Sequence, residues 1–137
     1  MRGDETPSPE SPPVSEQRVF ALRGAVQAEA NERDAILAAT DELLRELIRR
    51  NDLEAERMIS CIFTCTDDLD AEFPAVAARN LGLDTVPLLC AREINVQGSM
   101  ERVIRTMLHY HGPADHVPGH VYLGAAAALR SDLGSAQ

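Results

Sequence analysis

The first half of the chain contains the apolar spacing of one long amphipathic helix, with a strand-like segment on either side of it. The helix is predicted to begin at Asn31 or Glu32 and to run to about Arg50. Its apolar stripe consists of Ile36, Leu37, Leu43, Leu44, Leu47 and Ile48. Arg18 to Gln27 alternates apolar and polar residues, and Met58 to Thr66 is a β-rich apolar segment. A helix with one apolar face between two strands has to cover a sheet.

The second half of the chain continues this alternation of strands and helices. A short helix is predicted from Pro74 to Gly82, and a strand pattern follows from Thr85 to Val96. Arg102 to His111 is predicted as another strand from its β-branched residues, although its periodicity is also compatible with a helix. His120 to Leu123 then leads into a short Ala-rich helix. The predicted fold is α/β or α+β, a small mixed sheet with two main helices.

Length and composition fit one domain after an N-terminal tail. Residues 1–17 contain four of the eight prolines with Ser, Asp and Glu, which predicts a disordered tail before a single domain at 18–137. No segment approaches the roughly 20 apolar residues of a membrane span, and no apolar stretch suits a signal sequence. Three cysteines are an odd number, so we expect thiols and a cytoplasmic protein. The net charge of −9 argues against nucleic acid or an anionic membrane as partner.

Five arginines lie inside otherwise apolar segments, and such charges require partners. They are Arg23, Arg79, Arg92, Arg105 and Arg130. A guanidinium group stays charged when partly buried and offers a fixed fork of donors to carboxylates, so several in one cleft would bind a small polyanion. All 13 basic residues are arginines, which a GC-rich coding bias would also produce, but such a bias does not explain arginines at strand positions.

Four histidines fall within twelve residues near the C-terminus, so a metal site has to be considered. They are His109, His111, His116 and His120. Their spacing fits no recognised zinc pattern, and no nearby cysteine completes a ligand set. We therefore expect no metal, and we expect His120 to orient the backbone beside Tyr122.

Read together, several short motifs resemble the AroH class of monofunctional chorismate mutases, over about Arg18 to the C-terminus. They are Leu22-Arg23-Gly24-Ala25, Asp68-Leu69 with Phe73-Pro74-Ala75 and Arg79, Val86-Pro87 with Cys90 and Glu93, Val103-Ile104-Arg105, His120-Val121-Tyr122-Leu123, and Leu129-Arg130 with Asp132-Leu133. Their shared order and spacing carry the resemblance, because no single tetrapeptide is decisive. Val76, Gly119 and Ser131 depart from the family pattern, and the first two remove peripheral positive charge.

The resemblance implies a homotrimer of pseudo-α/β-barrel form with active sites in clefts between subunits. It implies conversion of chorismate, a small dicarboxylate, to prephenate for phenylalanine and tyrosine biosynthesis. This Claisen-type rearrangement needs no protein nucleophile, metal or cofactor. The catalyst has to hold the substrate in a compact conformer and stabilise negative charge that grows on the ether oxygen.

The resemblance also implies a role for individual residues. Arg105 matches the cation that faces the ether oxygen, Arg23 a carboxylate-binding arginine, and Glu93 an acid that accepts from the substrate hydroxyl. The remaining matches would bind substrate: Cys90 beside the hydroxyl, Tyr122 at a carboxylate, Phe73, Ala75 and Arg79 as a wall from the adjacent subunit, and Leu129 and Arg130 in a closing segment. Taken singly, Cys90, Phe73 and Tyr122 are residues that more often have packing roles than binding roles.

Two other functions fit the same composition. One is a RidA-like imine deaminase, another small trimer with interfacial clefts and a carboxylate-binding arginine. The other is a non-catalytic trimer that binds a small anion, which would keep Arg23 but would not need Arg105. The pairing of Glu93 with Arg105 and the segment around Arg130 favour the mutase.

Overall fold

The computed structural model describes residues 16–134, with side chains described for residues 16–129. The predicted tail lies outside the described residues apart from its last two, of which Gln17 already begins the first strand. The strands are β1 (Gln17–Gln27), β2 (Met58–Cys65), β3 (Leu88–Arg92), β4 (Val103–Pro113) and β5 (Val121–Tyr122), and the helices are α1 (Arg33–Asn51) and α2 (Ala75–Asn80). Two 3₁₀ helices cover Ala55–Arg57 and Gly124–Gly134.

The five strands form one mixed sheet in the order β3-β2-β4-β1-β5. Strand β4 is antiparallel to both β1 and β2, whereas β3 runs parallel to β2 and β5 runs parallel to β1. The two long strands, β1 and β4, pair over their whole length from Gln17↔Pro113 to Gln27↔Val103. The predicted α+β class with a small mixed sheet is confirmed.

Helix α1 covers one face of the sheet with the stripe that its sequence predicts. Ile36, Leu43, Leu44 and Leu47 are fully buried, and burial of each such side chain contributes about 1.5–3 kcal/mol. The helix ends where Asp52 adopts a left-handed conformation with φ of 52° and its backbone N–H donates to the Ile48 carbonyl. The observed bounds therefore agree closely with the predicted ones.

Strand alternation separates a helix-covered face from a second face. On the covered face, β2 contributes Cys61, Phe63 and Cys65 and β4 contributes Ile104 and Leu108, all buried in one core. Both cysteines are core thiols, and burial raises the pKa of Cys61 to about 11 and that of Cys65 to about 12. The alternating burial along β4 also resolves its ambiguous periodicity in favour of a strand.

The opposite face of the sheet carries the residues between those core positions. At one end it is covered by the C-terminal 3₁₀ helix, where Ala126 and Leu129 pack on Ala25 and Val103. Further along, Val19, Leu89 and Met107 are exposed on this face. Among the described residues, the face is thus partly apolar and mostly uncovered.

Three elements are shorter or differ in type from the predictions. Strand β3 spans only Leu88–Arg92, because it lies at the sheet edge and the chain turns away after Glu93 donates its N–H to the Cys65 carbonyl. Helix α2 ends before Gly82, which has a φ of +93° that favours glycine. The predicted Ala-rich helix is a 3₁₀ helix. Within residues 16–134, no helix combines the length and apolar character that crossing a membrane requires.

Candidate active site

Two of the predicted arginines share one cleft on the uncovered face of the sheet. Arg105 of β4 pairs with Ala25, two residues along β1 from Arg23, so the two arginines are diagonal neighbours on one face with Cβ atoms roughly 7 Å apart. The cleft has a volume of about 320 Å³, within the range of small-molecule sites. Its lining consists of Arg23, Gly24, Ile62, Thr64, Arg105, Thr106, Met107 and Tyr122.

Arg105 is held by a carboxylate that arrives from the end of β3. Its Nε lies 3.0 Å from Oε2 of Glu93, and the same oxygen accepts a hydrogen bond of 2.7 Å from the Thr64 hydroxyl. The Arg105 Nε is buried, and its contact with Glu93 is an ion pair whose geometry does not make a hydrogen bond. The Arg105 side chain retains 35% of its exposure, so part of this fixed cation faces the open cleft.

Arg23 is fixed from the other edge of the sheet. Its Nη2 donates to the Tyr122 hydroxyl at 3.1 Å, and its backbone N–H donates to Nδ1 of His120 at 3.0 Å. Strand β5 is parallel to β1 here, with Gly24 opposite Val121 and Ala25 opposite Tyr122. The predicted placement of His120 at the backbone beside Tyr122 thus corresponds to a specific contact, an imidazole nitrogen that accepts the Arg23 amide.

The chemistry available in this cleft is electrostatic. Two guanidinium groups stand on paired strands rather than on loops, so their positions are set by a hydrogen-bonded ladder before any ligand arrives. Such donors bind carboxylates and stabilise charge that develops during a reaction at little reorganisation cost. The cleft is therefore suited to a small dianion whose reaction generates negative charge.

Two predicted substrate-binding residues do not line this cleft. Cys90 pairs with Phe63 across β2 and β3 and packs against the helix-side core, on the face opposite Arg105. Cys90 and Phe73 instead line a second depression of about 400 Å³, together with Cys65, Leu69 and Arg92 among others. Phe73 is 65% exposed at its rim, so this aromatic ring is available to another molecule.

The other predicted contacts are distributed between the two sides of the molecule. Ala75 is buried and Arg79 is exposed, both on α2 and away from the first cleft. Leu129 and Tyr122 pack against the same small cluster at the covered end of the sheet. The side chain of Arg130 lies outside the described residues. The structure thus brings Arg23, Arg105, Glu93 and Tyr122 together, with Leu129 nearby.

Two residues at or near the site were not anticipated from the sequence. Thr64 binds Glu93 and lines the cleft, and the period-2 alternation of β2 could have identified it, because Thr64 lies between the core residues Phe63 and Cys65. Arg102, directly before β4, has a φ of 52° and donates through Nε to the Ala28 carbonyl at 3.0 Å. It therefore fixes the turn before β4.

Three of the four histidines of the C-terminal third have separate partners. His109 Nδ1 lies 3.4 Å from the Ser60 hydroxyl, and His116 Nε2 lies 2.7 Å from the Tyr110 hydroxyl. Nδ1 of His120 accepts from Arg23. Across residues 16–134, no group of three His, Cys, Asp or Glu side chains is arranged to hold a metal ion.

Comparisons with known proteins agree on one family. The family model described as chorismate mutase type I matches residues 19–133. Chorismate mutase AroH of Thermus thermophilus is 46% identical over 122 residues, covering 87% of this chain and 99% of that protein. Chorismate mutase AroH of Bacillus subtilis is 36% identical over 118 residues, covering 84% and 92%. A solved structure of chorismate mutase from Clostridium thermocellum, 44% identical, superposes with a TM-score of 0.74 over 80% of this chain and 98% of that one.

Proposed function

We propose that this chain, which belongs to the chorismate mutase type I family, converts chorismate to prephenate in the cleft between Arg23 and Arg105. The predicted family and the predicted isomerase activity are confirmed by the family match and by the two named relatives. The observation that carries the choice of site is the convergence of two strand-borne guanidinium groups in one cleft.

The reaction requires the protein to bind the substrate and to stabilise charge, but it requires no nucleophile or acid–base group of the protein. One carbon–oxygen bond breaks while a carbon–carbon bond forms within the same molecule, so no proton or electron pair has to pass to the enzyme. The enzyme accelerates such a step by holding a compact conformer and by stabilising charge that is larger in the transition state than in the substrate. The cleft offers fixed cations for both purposes.

Arg105 is the residue to which we assign stabilisation of the ether oxygen. Its side chain is anchored through Nε by Glu93, which leaves its terminal amino groups to meet the substrate. Loss of one preorganised donor of this kind lowers kcat by about 10²–10³-fold in comparable sites. Glu93 accepts from Thr64 while it pairs with Arg105, so its second oxygen would accept from the substrate hydroxyl.

Arg23 and Tyr122 would bind a substrate carboxylate together. The contact of 3.1 Å between Nη2 and the tyrosine hydroxyl aligns two donors at the same edge of the cleft. Leu129 packs against the same small cluster as Tyr122, and it supports a closing role for the segment that continues to Arg130. With Arg23 and Tyr122 at one carboxylate, Arg105 would be left to bind another part of the same dicarboxylate.

We assign the remaining predicted contacts to a neighbouring copy in a homotrimer. The uncovered sheet face exposes Val19, Leu89 and Met107 around the cleft, and exposed apolar patches of this kind mark interfaces. Phe73 and Cys90 line the second depression, on the other side of the chain, where they would reach the cleft of an adjacent subunit. Light scattering after size exclusion would give three times the 14.9 kDa chain mass, and a monomer that turns over chorismate would contradict this assembly.

The comparisons do not favour the two alternatives, a RidA-like imine deaminase or a non-catalytic trimer that binds a small anion. All three cysteines are free thiols, which supports a cytoplasmic location.

An absorbance assay that follows the loss of chorismate tests the function. Native protein should turn over chorismate, and Arg105→Ala should lose about 10²–10³-fold in kcat with its assembly intact. A native protein without turnover would remove the proposed function. Native turnover with an undiminished Arg105→Ala variant would instead move the chemistry away from this cleft. Arg45→Ala, on the exposed surface of α1, is the matched control and should behave as native.

A further inference from the structure

The Arg23 side of the cleft depends on a strand of only two residues. Strand β5 spans Val121–Tyr122 and pairs with β1 at Gly24 and Ala25 alone. A ladder this short leaves few backbone hydrogen bonds to hold Tyr122 in place. Immediately before it, Nδ1 of His120 accepts the backbone N–H of Arg23 at 3.0 Å, and this side chain extends the pairing by one position.

The segment that carries His120 is itself anchored to the end of α1. The buried Asn51 side chain donates to the Gly119 carbonyl at 2.9 Å and accepts the Gly119 N–H at 2.7 Å, as a strand partner would. Arg50 donates through Nη1 to the His120 carbonyl at 3.1 Å. A Cβ at position 119 would lie 3.1 Å from Cδ of Arg50, so a larger residue there would require the Arg50 side chain to shift.

These contacts form a continuous series of hydrogen bonds from the end of α1 to Arg23. Asn51 and Arg50 fix residues 119 and 120, the His120 imidazole fixes the Arg23 backbone, and the Arg23 guanidinium binds Tyr122. For Nδ1 to accept a hydrogen bond, the imidazole has to be neutral with its proton on Nε2. His120 is not among the residues that line the cleft, so it would act on the site through the position of Arg23.

We propose that His120 is a positioning residue for the reaction, which aligns Arg23 with Tyr122 through its Nδ1 acceptor. The inference rests on the proposed function, because it assumes that Arg23 and Tyr122 bind chorismate. It predicts that the acceptor atom matters more than the ring. The amide oxygen of asparagine occupies nearly the position of Nδ1, whereas that of glutamine occupies nearly the position of Nε2.

The test compares His120→Asn with His120→Gln, with native protein as the reference. His120→Asn should keep kcat/KM near the native value, since its oxygen can accept the Arg23 N–H. His120→Gln should lose about tenfold to a hundredfold, the scale of a small misplacement of a binding group, and most of this loss should appear in KM. Thermal unfolding of each variant shows whether folding is preserved.

A second comparison separates a positioning role from a general loss of structure. In an Arg23→Ala background, His120→Gln should cause little further loss, because the group that it positions is gone. Equal activity of the Asn and Gln variants alongside an active native protein would overturn the inference alone. Equal loss in both variants, accompanied by unfolding, would assign His120 to folding and also overturn it. A native protein without turnover would overturn the proposed function instead.

Discussion

The arginines of helix α1 and those of the sheet carry the same charge in different surroundings. On α1, Arg45 and Arg49 are 66% and 71% exposed, and each pairs with an acid within one turn of its own helix. In the cleft, Arg105 is 35% exposed, its Nε is buried, and its partner Glu93 comes from another strand end. The first kind of pair depends on local sequence, and the second depends on the fold.

This difference decides what each charge can contribute. An exposed pair one turn apart on a helix contributes about 0.3–0.5 kcal/mol, because water screens it and two long side chains lose freedom. A cation fixed in a partly dehydrated cleft can contribute about 3–4 kcal/mol to a transition state that gains charge. The position of an arginine in the fold, rather than its number in the composition, therefore indicates function.

Replacement of Arg23 should show the contrast between the cleft and helix α1. Arg23→Ala removes a charged donor from the proposed carboxylate site, and kcat/KM should fall about tenfold to a hundredfold, the equivalent of about 1.5–3 kcal/mol. Arg49→Ala removes the same side chain from α1 and should leave kcat/KM unchanged. Steady-state kinetics on both purified variants gives the comparison. Equal losses in the two variants would erase the distinction between the two regions.

Replacement of Glu93 tests whether the cleft arginine depends on its anchor. Glu93→Gln keeps the shape but removes the charge that holds Nε of Arg105, so kcat/KM should fall about tenfold. Thr64→Val removes only the hydrogen bond of 2.7 Å to the same carboxylate and should have a smaller effect. Steady-state assays of both variants show which one loses more kcat/KM. A larger loss in Thr64→Val would mean that hydrogen bonding, not charge, fixes Arg105.

On helix α1, replacement of Glu46 should have a smaller effect, which is on stability and depends on pH. A hydrogen bond from Arg49 lowers the pKa of Glu46 in the folded protein, so the carboxylate stabilises the fold above the ordinary glutamate pKa of about 4.3. This contribution is lost as pH falls through the lowered folded pKa. Thermal unfolding of Glu46→Gln should therefore differ slightly from native protein near pH 7 and converge with it in acid. A difference that grows in acid would reverse the assigned sign.

In the cleft, no effect of pH on kcat is expected near neutrality. The proposed rearrangement uses no general base and no titrating nucleophile, so kcat should stay flat across neutral pH, unlike the bell-shaped profile of acid–base catalysis. The measurement is kcat against pH in buffers of constant ionic strength. A sharp bell near pH 7 would contradict an electrostatic mechanism.

Most of the fold follows from local patterns in the sequence. The stripe from Ile36 to Ile48 specifies α1 to within two residues at either end, because burial on one face requires that spacing. The edge strand β3 is shorter than its apolar pattern suggested, since the length of an edge strand depends on its one neighbour. The parallel pairing of β5 with β1 joins residues almost 100 positions apart, and no local pattern encodes it.

The candidate site is only partly accessible from the sequence for the same reason. Motif order singled out Arg23, Glu93, Arg105 and Tyr122, and the sheet brings all four together. Cys90 carries an equally good motif yet faces the other side of the chain, because the facing of a strand residue depends on register. Phe73 lies on that side too, in the loop before α2. Thr64 belongs to no motif; the alternation of β2 gives the face on which it lies, but only the fold shows its contact with Glu93.

A crystal structure of the protein with the product prephenate would test the joint action of the two strand arginines most directly. We predict one prephenate molecule in the cleft lined by Arg23, Arg105 and Tyr122, with a carboxylate at Arg23 and another polar group of the same molecule at Arg105. Prephenate bound elsewhere, or bound by one of the two arginines while the other points away, would contradict the account.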